Sequence, residues 1–274
     1  MGGEKLDILQ MEELNHPIGN GITNPILGIN SNIQYVVKTN NNIEGKKVLV
    51  NELVCYLLAI KLGLPIPEAG LCNIDINTNI NRNVYEVIED FSEDCYGLGF
   101  YSKWVKNATV ISSEKMIKLS SNYKWLIPKI MLFDHIIYNN DRNKGNLLIK
   151  MNKLNRELIL IDHSHTFNLG ALWDKYQLRR KIEEEDYKDD FIMRNNAYLY
   201  SKFKNVMSID MVIMQETIDY FRKNITIEDI REVINYIPKY WEINKDDLEA
   251  LIDYIVYRFE HIDYFANIIA SYVY

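Results

Sequence analysis

The apolar positions divide the chain into an N-terminal stretch of short strand-like segments and a longer helical stretch. In the first part, β-branched and aromatic residues form short runs, which predict strands at 26–29, 34–38, 68–76 and 84–88. Residues 50–62 instead carry apolar side chains at helical spacing. Gly63 and Pro65 follow them, so this segment is predicted to be a single helix.

The second part begins near Trp125. An apolar helix is predicted at 127–138, and a hairpin is predicted from two apolar runs, 147–149 and 158–161. Beyond residue 200 the pattern is helical, with a capping-box start at Thr226 and an apolar stripe from Leu248 to Ile269. The segment 174–190 mixes both charge signs and is predicted to be a solvated surface insert. These elements predict an α+β protein in two lobes.

Composition narrows the class of protein. With 274 residues, 47% hydrophobic and 25% charged, the chain can bury its own core, which excludes a disordered, collagen-like or coiled-coil chain. The formal net charge of −7 argues against a protein that coats nucleic acid, and no nucleic-acid partner is expected. Three unpaired cysteines, no signal peptide and no apolar run near ~18 residues predict a cytoplasmic protein without a membrane span.

The most informative polar segment lies between the helix at 127–138 and the hairpin. Asp141 is followed five residues later by Asn146, and Asp162 comes directly after the second hairpin strand. Protein kinases use an Asp and an Asn at this separation on their catalytic loop, and a second Asp after two short strands. The hairpin would return Asp162 beside Asp141. One Asn and one Asp suffice to hold Mg²⁺, which prefers oxygen ligands and keeps several waters.

Taken alone, this pattern is weak, because turn residues are dense here and the same spacing arises by chance in an Asn-rich chain. The N-terminal part strengthens it. Lys38 ends a strand, as the phosphate-binding lysine of kinases does, and Glu52 follows fourteen residues later on an otherwise uncharged helix flank. A buried carboxylate requires a partner, and Lys38 is the natural one.

A glycine-containing turn precedes these residues. Gly19, Gly21 and Thr23 could bring backbone N–H groups and a hydroxyl near phosphates, although the turn matches neither standard glycine-loop pattern. The pattern of P-loop nucleotide hydrolases is absent from the sequence. The order of the elements, glycine turn, strand Lys, helix Glu, Asp–Asn pair and final Asp, is the order found in protein kinases.

Six stretches of the chain together resemble the HipA-like kinases, in particular their compact stand-alone bacterial branch, which is distantly related to phosphatidylinositol 3/4-kinases. The resemblance covers roughly residues 15–260. The stretches are Tyr35–Lys38, Asn51–Leu53, Gly63–Glu68, Phe133–His135, Asn140–Leu148 and Leu160–His165.

This resemblance implies a two-lobed protein-kinase-like fold that binds ATP and Mg²⁺ in a cleft. The expected lobes are residues 1–95 and 96–274. It implies that Lys38 contacts phosphates, that Glu52 holds Lys38, that Asp141 is catalytic and that Asn146 and Asp162 bind metal. The adenine-binding hinge is expected after 85–88, near Glu89. No separate DNA-binding module is apparent in the sequence.

Three functions remain open from the sequence. The first is an ATP-dependent kinase that phosphorylates a hydroxyl acceptor, expected to be a protein Ser or Thr and to include the kinase itself. The second is a nucleotide-binding pseudokinase or scaffold. The third is a small-molecule or lipid kinase, which ranks lower because no basic amphipathic helix is evident. The acceptor and the oligomeric state cannot be inferred from these residues, because phosphoryl transfer depends on positioning and electrostatics.

Overall fold

The computed structural model describes residues 7–19, 22–88, 91–152 and 155–273. Gly21 and Glu89, both expected to contact the nucleotide, lie outside these ranges. Within them the protein has an N-terminal part built on a curved mixed sheet and a C-terminal part built mainly of helices, as expected for an α+β protein.

The N-terminal sheet has seven strands among the described residues, in the order β1-β5-β7-β4-β3-β2-β6. Strand β4, which carries Lys38, lies between antiparallel neighbours β3 and β7, and Lys38 pairs with Phe100 of β7. The strands are β1 Ile8–Gln10, β2 Glu13–Pro17, β3 Ile26–Asn30, β4 Ile33–Lys38, β5 Ala69–Ile74, β6 Asn79–Ile80 and β7 Gly97–Lys103. Because β7 belongs to this sheet, the sheet continues past the lobe boundary expected after residue 95, and that boundary stays a prediction.

Helix α1, Lys47–Lys61, packs beneath this sheet. It begins three residues before the predicted start. It ends at Lys61, two residues before Gly63, whose φ of 58° is in the left-handed region that glycine adopts without strain. Its buried residues include Asn51 and Glu52. Burial of these two polar side chains in an otherwise apolar face means that each requires a partner from another element.

A second sheet of three antiparallel strands joins the two parts. Its strands are β8 Ala108–Val110, β9 Leu147–Met151 and β10 Arg156–Leu160, in the order β10-β9-β8. The predicted hairpin is therefore confirmed, with Leu148 opposite Ile159. Its register brings the two chain ends of the hairpin together, because the Ile161 amide donates to the Asn146 carbonyl at 3.2 Å. Asp162, the next residue after Ile161, consequently lies beside the loop that carries Asp141.

The remaining elements are mostly helices of the C-terminal part. Their apolar faces and that of α1 form one continuous core, whereas the opposite face of the seven-stranded sheet has a smaller core of its own. The helices are α2 Arg82–Val87, α3 Glu114–Leu119, α4 Tyr123–Ile136, α5 Lys175–Glu183, α6 Phe191–Asn195, α7 Ala197–Val206, α8 Met211–Asn224, α9 Ile227–Asn235, α10 Lys245–Glu260 and α11 Ile262–Ser271.

Two sequence-based predictions about elements need correction. The segment predicted as a strand at 84–88 forms α2, whose first turn is capped by the Asn81 side chain and of which only Val84 is buried. The predicted helical apolar stripe at 248–269 is present and extends over two helices, α10 and α11. The segment 174–190 is not wholly a solvated insert, since Asp186 is buried and pairs with buried Arg258 at 3.0 Å. The Thr226 capping box is confirmed.

Candidate active site

Lys38 lies at the centre of the site. It is 5% exposed, and its Nζ contacts the Glu52 carboxylate, the Ser164 hydroxyl and Oδ1 of Asp162, the last at 3.1 Å. Three of the residues expected from the sequence, Lys38, Glu52 and Asp162, are thereby brought together from β4, α1 and the segment after β10. Ser164 joins them, although sequence reasoning assigned it no role.

Within this cluster the charges of Lys38 and Asp162 stabilise each other. Burial by itself would lower the pKa of Lys38, but the carboxylates of Asp162 and Glu52 hold that pKa above its ordinary value. Burial by itself would raise the pKa of Asp162, but the Lys38 ammonium and the Ser164 hydroxyl hold it far below its ordinary value. Lys38 is therefore a cation and Asp162 an anion throughout the neutral pH range.

Asp162 has an unusual backbone. Its φ is 56°, in the left-handed region, which non-glycine residues adopt rarely and Asp more readily than most. Its carboxylate accepts from the Ser164 hydroxyl at 2.7 Å and from the Ser164 amide at 3.4 Å. The side chain remains about 38% exposed, so part of the carboxylate is accessible to solvent.

The loop between α4 and β9 carries the other two predicted residues. The Asn146 amide nitrogen donates to the backbone carbonyl of Asp141 at 2.7 Å and to its Oδ2 at 3.2 Å. The Asn143 side chain donates to Oδ1 of Asp141 at 2.8 Å. The Asp141 side chain is nevertheless about 45% exposed, so its carboxylate is oriented by the loop and remains accessible.

Arg142 connects this loop to the residues on either side of Asp162. The sequence did not predict a role for it. It is fully buried, and its guanidinium donates to both carboxylate oxygens of Asp134 at 3.0–3.2 Å. The same group donates to the carbonyls of Asn146 at 2.7 Å and Ile161 at 3.1 Å, and lies 2.9 Å from Nε2 of His163. One side chain therefore holds the loop of Asp141 and the segment of Asp162 at a fixed separation.

Helix α1 is attached to the segment after Asp162 through Asn51. Its amide nitrogen donates to the carbonyls of Ser164 at 2.6 Å and Gly170 at 3.0 Å, and its oxygen accepts from the Trp173 indole at 2.9 Å. The backbone amide of His163 donates to Glu52 at 3.2 Å. The Lys38–Glu52 pair is thus one contact in a larger joint between α1 and this segment.

The glycine turn makes no polar contact with this cluster among the described residues. No hydrogen bond or ion pair joins Gly19 or Thr23 there to Lys38, Asp141 or Asp162. A Cβ added at Gly19 would have no atom within 4 Å, so its surroundings supply no steric reason for glycine there. Thr23 is buried, and its carbonyl accepts from the Asn42 side chain at 2.7 Å. Nucleotide contacts from this turn stay a prediction.

The donors present fit a divalent cation such as Mg²⁺. Asp162 supplies an ionised, partly exposed carboxylate. The Asn146 amide uses its nitrogen on Asp141, so its oxygen is the atom available to a metal. Among the described residues no group of three or more His, Cys, Asp or Glu side chains could hold a metal ion. A cation held here would thus have two protein ligands and complete its shell with water and phosphate oxygens, as Mg²⁺ commonly does.

No helix in the described ranges is both long and apolar enough to cross a membrane. The three cysteines, Cys55, Cys72 and Cys95, are buried and free, as expected.

The solved structures that are similar to this chain include CtkA and HipA. The kinase CtkA of Helicobacter pylori, described as proinflammatory, superposes with a TM-score of 0.61 at 14% identity, covering 98% of this chain and 100% of CtkA. At that identity the likeness shows the fold. HipA of Shewanella oneidensis, solved with HipB and operator DNA, gives a TM-score of 0.44 at 10% identity, covering 95% of this chain and 68% of HipA. That value is too low to bear on partners, so the expectation that nucleic acid is not a partner stays a prediction.

Sequence comparison gives the family. A search of curated proteins found no match. The family model described as HipA-like kinase, in contrast, matches residues 11–263, which include every element from β2 to α10. The chain therefore belongs to the HipA-like kinase family.

Proposed function

We propose that this protein is an ATP- and Mg²⁺-dependent phosphotransferase whose acceptor is a hydroxyl group, on a protein Ser or Thr that includes its own. One observation carries the proposal: the Lys38 ammonium bonds Glu52 and Asp162 at once. An active protein kinase requires both a strand lysine paired with a helix glutamate and a metal-binding Asp in place beside it.

Each residue then has a defined part in the transfer. Lys38 binds phosphate oxygens of ATP, and Glu52 holds its ammonium in place. Asn146 and Asp162 hold Mg²⁺, which neutralises charge on the phosphates. Asp141 orients the acceptor hydroxyl and takes its proton as the hydroxyl oxygen bonds to the γ-phosphorus and ADP departs. The partial exposure of the Asp141 carboxylate supports this role.

We further propose that residues 104–107 form the edge that binds adenine, instead of Glu89. The expected hinge followed a strand at 84–88, but that segment is α2, which packs on β2, two strands away from β4. Strand β7 pairs directly with β4 and ends at Lys103. The chain then leaves the sheet at Trp104, whose amide donates to the Gln34 carbonyl at 2.9 Å, and continues into β8.

The proposal is tested with labelled ATP. Purified protein is incubated with γ-labelled ATP and Mg²⁺, alone and with a cell lysate, and the labelled species are identified. Transfer by the wild-type chain is expected, and Asp141→Asn and Asp162→Asn should reduce it by about 100-fold or more while circular dichroism stays unchanged. Unchanged autophosphorylation and turnover in Asp162→Asn would refute the metal assignment. Binding of Mg-ATP in a thermal-shift assay without transfer to any acceptor would indicate a scaffold.

A further inference from the structure

The ring of His165 lies between two carboxylates from different parts of the chain. Its Nε2 is 3.0 Å from Oε2 of Glu44, which lies in the loop between β4 and α1. Its Nδ1 is 3.8 Å from Oδ2 of Asp141. Neither His165 nor Glu44 has a catalytic role predicted from the sequence. Together they form a bridge from the N-terminal part to the catalytic loop, called here the Glu44–His165–Asp141 bridge.

The His165 ring is held in this orientation by backbone. Gly170 has a φ of 59°, and a Cβ added there would lie 3.1 Å from Cδ2 of the ring. Glycine at this position therefore lets the chain lie against the imidazole. The carbonyl of Gly170 is fixed by Asn51 of α1 at 3.0 Å. Because both the imidazole ring and the backbone of Gly170 behind it are held in place, His165 can restrict the position of Asp141.

The other end of the bridge reaches the glycine turn. The Glu44 amide donates to the side-chain oxygen of buried Asn42 at 3.1 Å, and the Asn42 amide nitrogen donates to the Thr23 carbonyl at 2.7 Å. A continuous set of polar contacts thus extends from the turn expected near the phosphates, through Asn42 and Glu44, to His165 and the carboxylate expected to receive the acceptor proton.

We propose that His165 is a positioning residue for Asp141 and that Glu44 anchors it, an inference that rests on the function proposed above. Asp141 already receives hydrogen bonds from Asn143 and Asn146. His165 adds a restraint on the side of Oδ2, which accepts from the Asn146 amide at 3.2 Å and, with the ring 3.8 Å away, keeps a lone pair for a hydroxyl donor. Because reacting groups must be placed to well within an ångström, this restraint acts on the rate of transfer and not on ATP binding.

Steady-state kinetics of the full chain provide the first test. Glu44→Ala and His165→Ala are each expected to lower kcat for phosphate transfer by about 10- to 100-fold, with the KM for ATP changed less than about 3-fold. The double variant should be no slower than His165→Ala alone, because both residues act through one contact. The matched control is Glu242→Gln, which weakens an exposed ion pair with Lys46 near the same loop and should leave both constants unchanged.

A raised KM with unchanged kcat in His165→Ala, or additive losses in the double variant, would overturn the positioning role. A second measurement does not depend on turnover: NMR spectra of the chain labelled with ¹⁵N-histidine. Asp141→Asn and Glu44→Ala should each shift the ring nitrogen signals of His165. Unchanged signals in Asp141→Asn would overturn the bridge itself, whereas failure of the wild-type chain to transfer phosphate would overturn the proposed function.

Discussion

Replacing Arg142 by Met should destabilise the protein more than any exposed charge change. Both partners of the ion pair, Arg142 and Asp134, are fully buried. Removing one partner of such a pair costs about 3–5 kcal/mol, because a buried carboxylate is left uncompensated. The Ile161 carbonyl also loses its Arg142 donor, which adds about 1–3 kcal/mol, whereas the Asn146 carbonyl keeps its bond from the Ile161 amide. The total is a large part of the roughly 5–15 kcal/mol that stabilises a folded protein.

Urea unfolding followed by circular dichroism and tryptophan fluorescence measures this loss. The double variant Arg142→Met, Asp134→Asn should be no less stable than Arg142→Met alone, because no uncompensated charge remains and the side-chain amide can still form hydrogen bonds with Tyr200 and Asn139. The matched control is Arg194→Met, whose partner Asp190 lies four residues away on the surface, with a pair distance of 2.7 Å. That change should cost less than about 1 kcal/mol. A loss below about 1 kcal/mol for Arg142→Met, or additive losses in the double variant, would refute the reasoning.

Three further predictions concern the site and its supports. Glu52→Gln should lower ATP turnover by about 100-fold without unfolding the protein, because Lys38 loses one of its two carboxylates; turnover and circular dichroism of the variant test this. Trp173→Phe should cost about 1–3 kcal/mol in urea unfolding, because the buried oxygen of Asn51 loses its donor. Burial lowers the pKa of His135 to about 3, below the ~6.5 of the unfolded chain, so the unfolded state binds the extra proton between these values. The contribution of the neutral ring to the free energy of unfolding is therefore complete above about pH 6.5 and falls by about 1.4 kcal/mol per pH unit on acidification. His135→Gln should reduce this dependence between about pH 6.5 and 5.5, as measured by urea unfolding.

The residues that the sequence identified share a property. Lys38, Glu52 and Asp162 carry charge in otherwise apolar segments, and such charges need partners wherever the chain folds. Their order along the chain is the order found in protein kinases, so their proximity in the fold could be predicted. The strand that carries Lys38 and the hairpin before Asp162 were also predictable, because both have short-range signals in β-branched residues and turns.

The residues that were missed depend on long-range contacts. Arg142 lies in a stretch of turn-forming residues, and nothing local reveals that its guanidinium is buried beside Asp134 and two carbonyls. Asn51 and Ser164 are common polar residue types whose partners come from distant segments. Asp186 sits in a run of acidic residues that are otherwise exposed, so charge counting could not separate it from its neighbours. These roles depend on tertiary packing, which leaves no periodic pattern in the local sequence.

Helix α1 lies in sequence between strands β4 and β5 of the sheet, yet most of its polar contacts are with the helical part. Lys47 pairs with Asp247 at 2.9 Å, Lys61 pairs with Asp229 at 2.8 Å, and Asn51 is bonded to the segment after Asp162. Its apolar face lies in the same core as the C-terminal helices. A change that swung α1 outward to separate Glu52 from Lys38 would therefore have to break this core. Rotation of α1 away from Lys38 is consequently unfavourable, because it would expose the apolar face that α1 shares with the C-terminal helices.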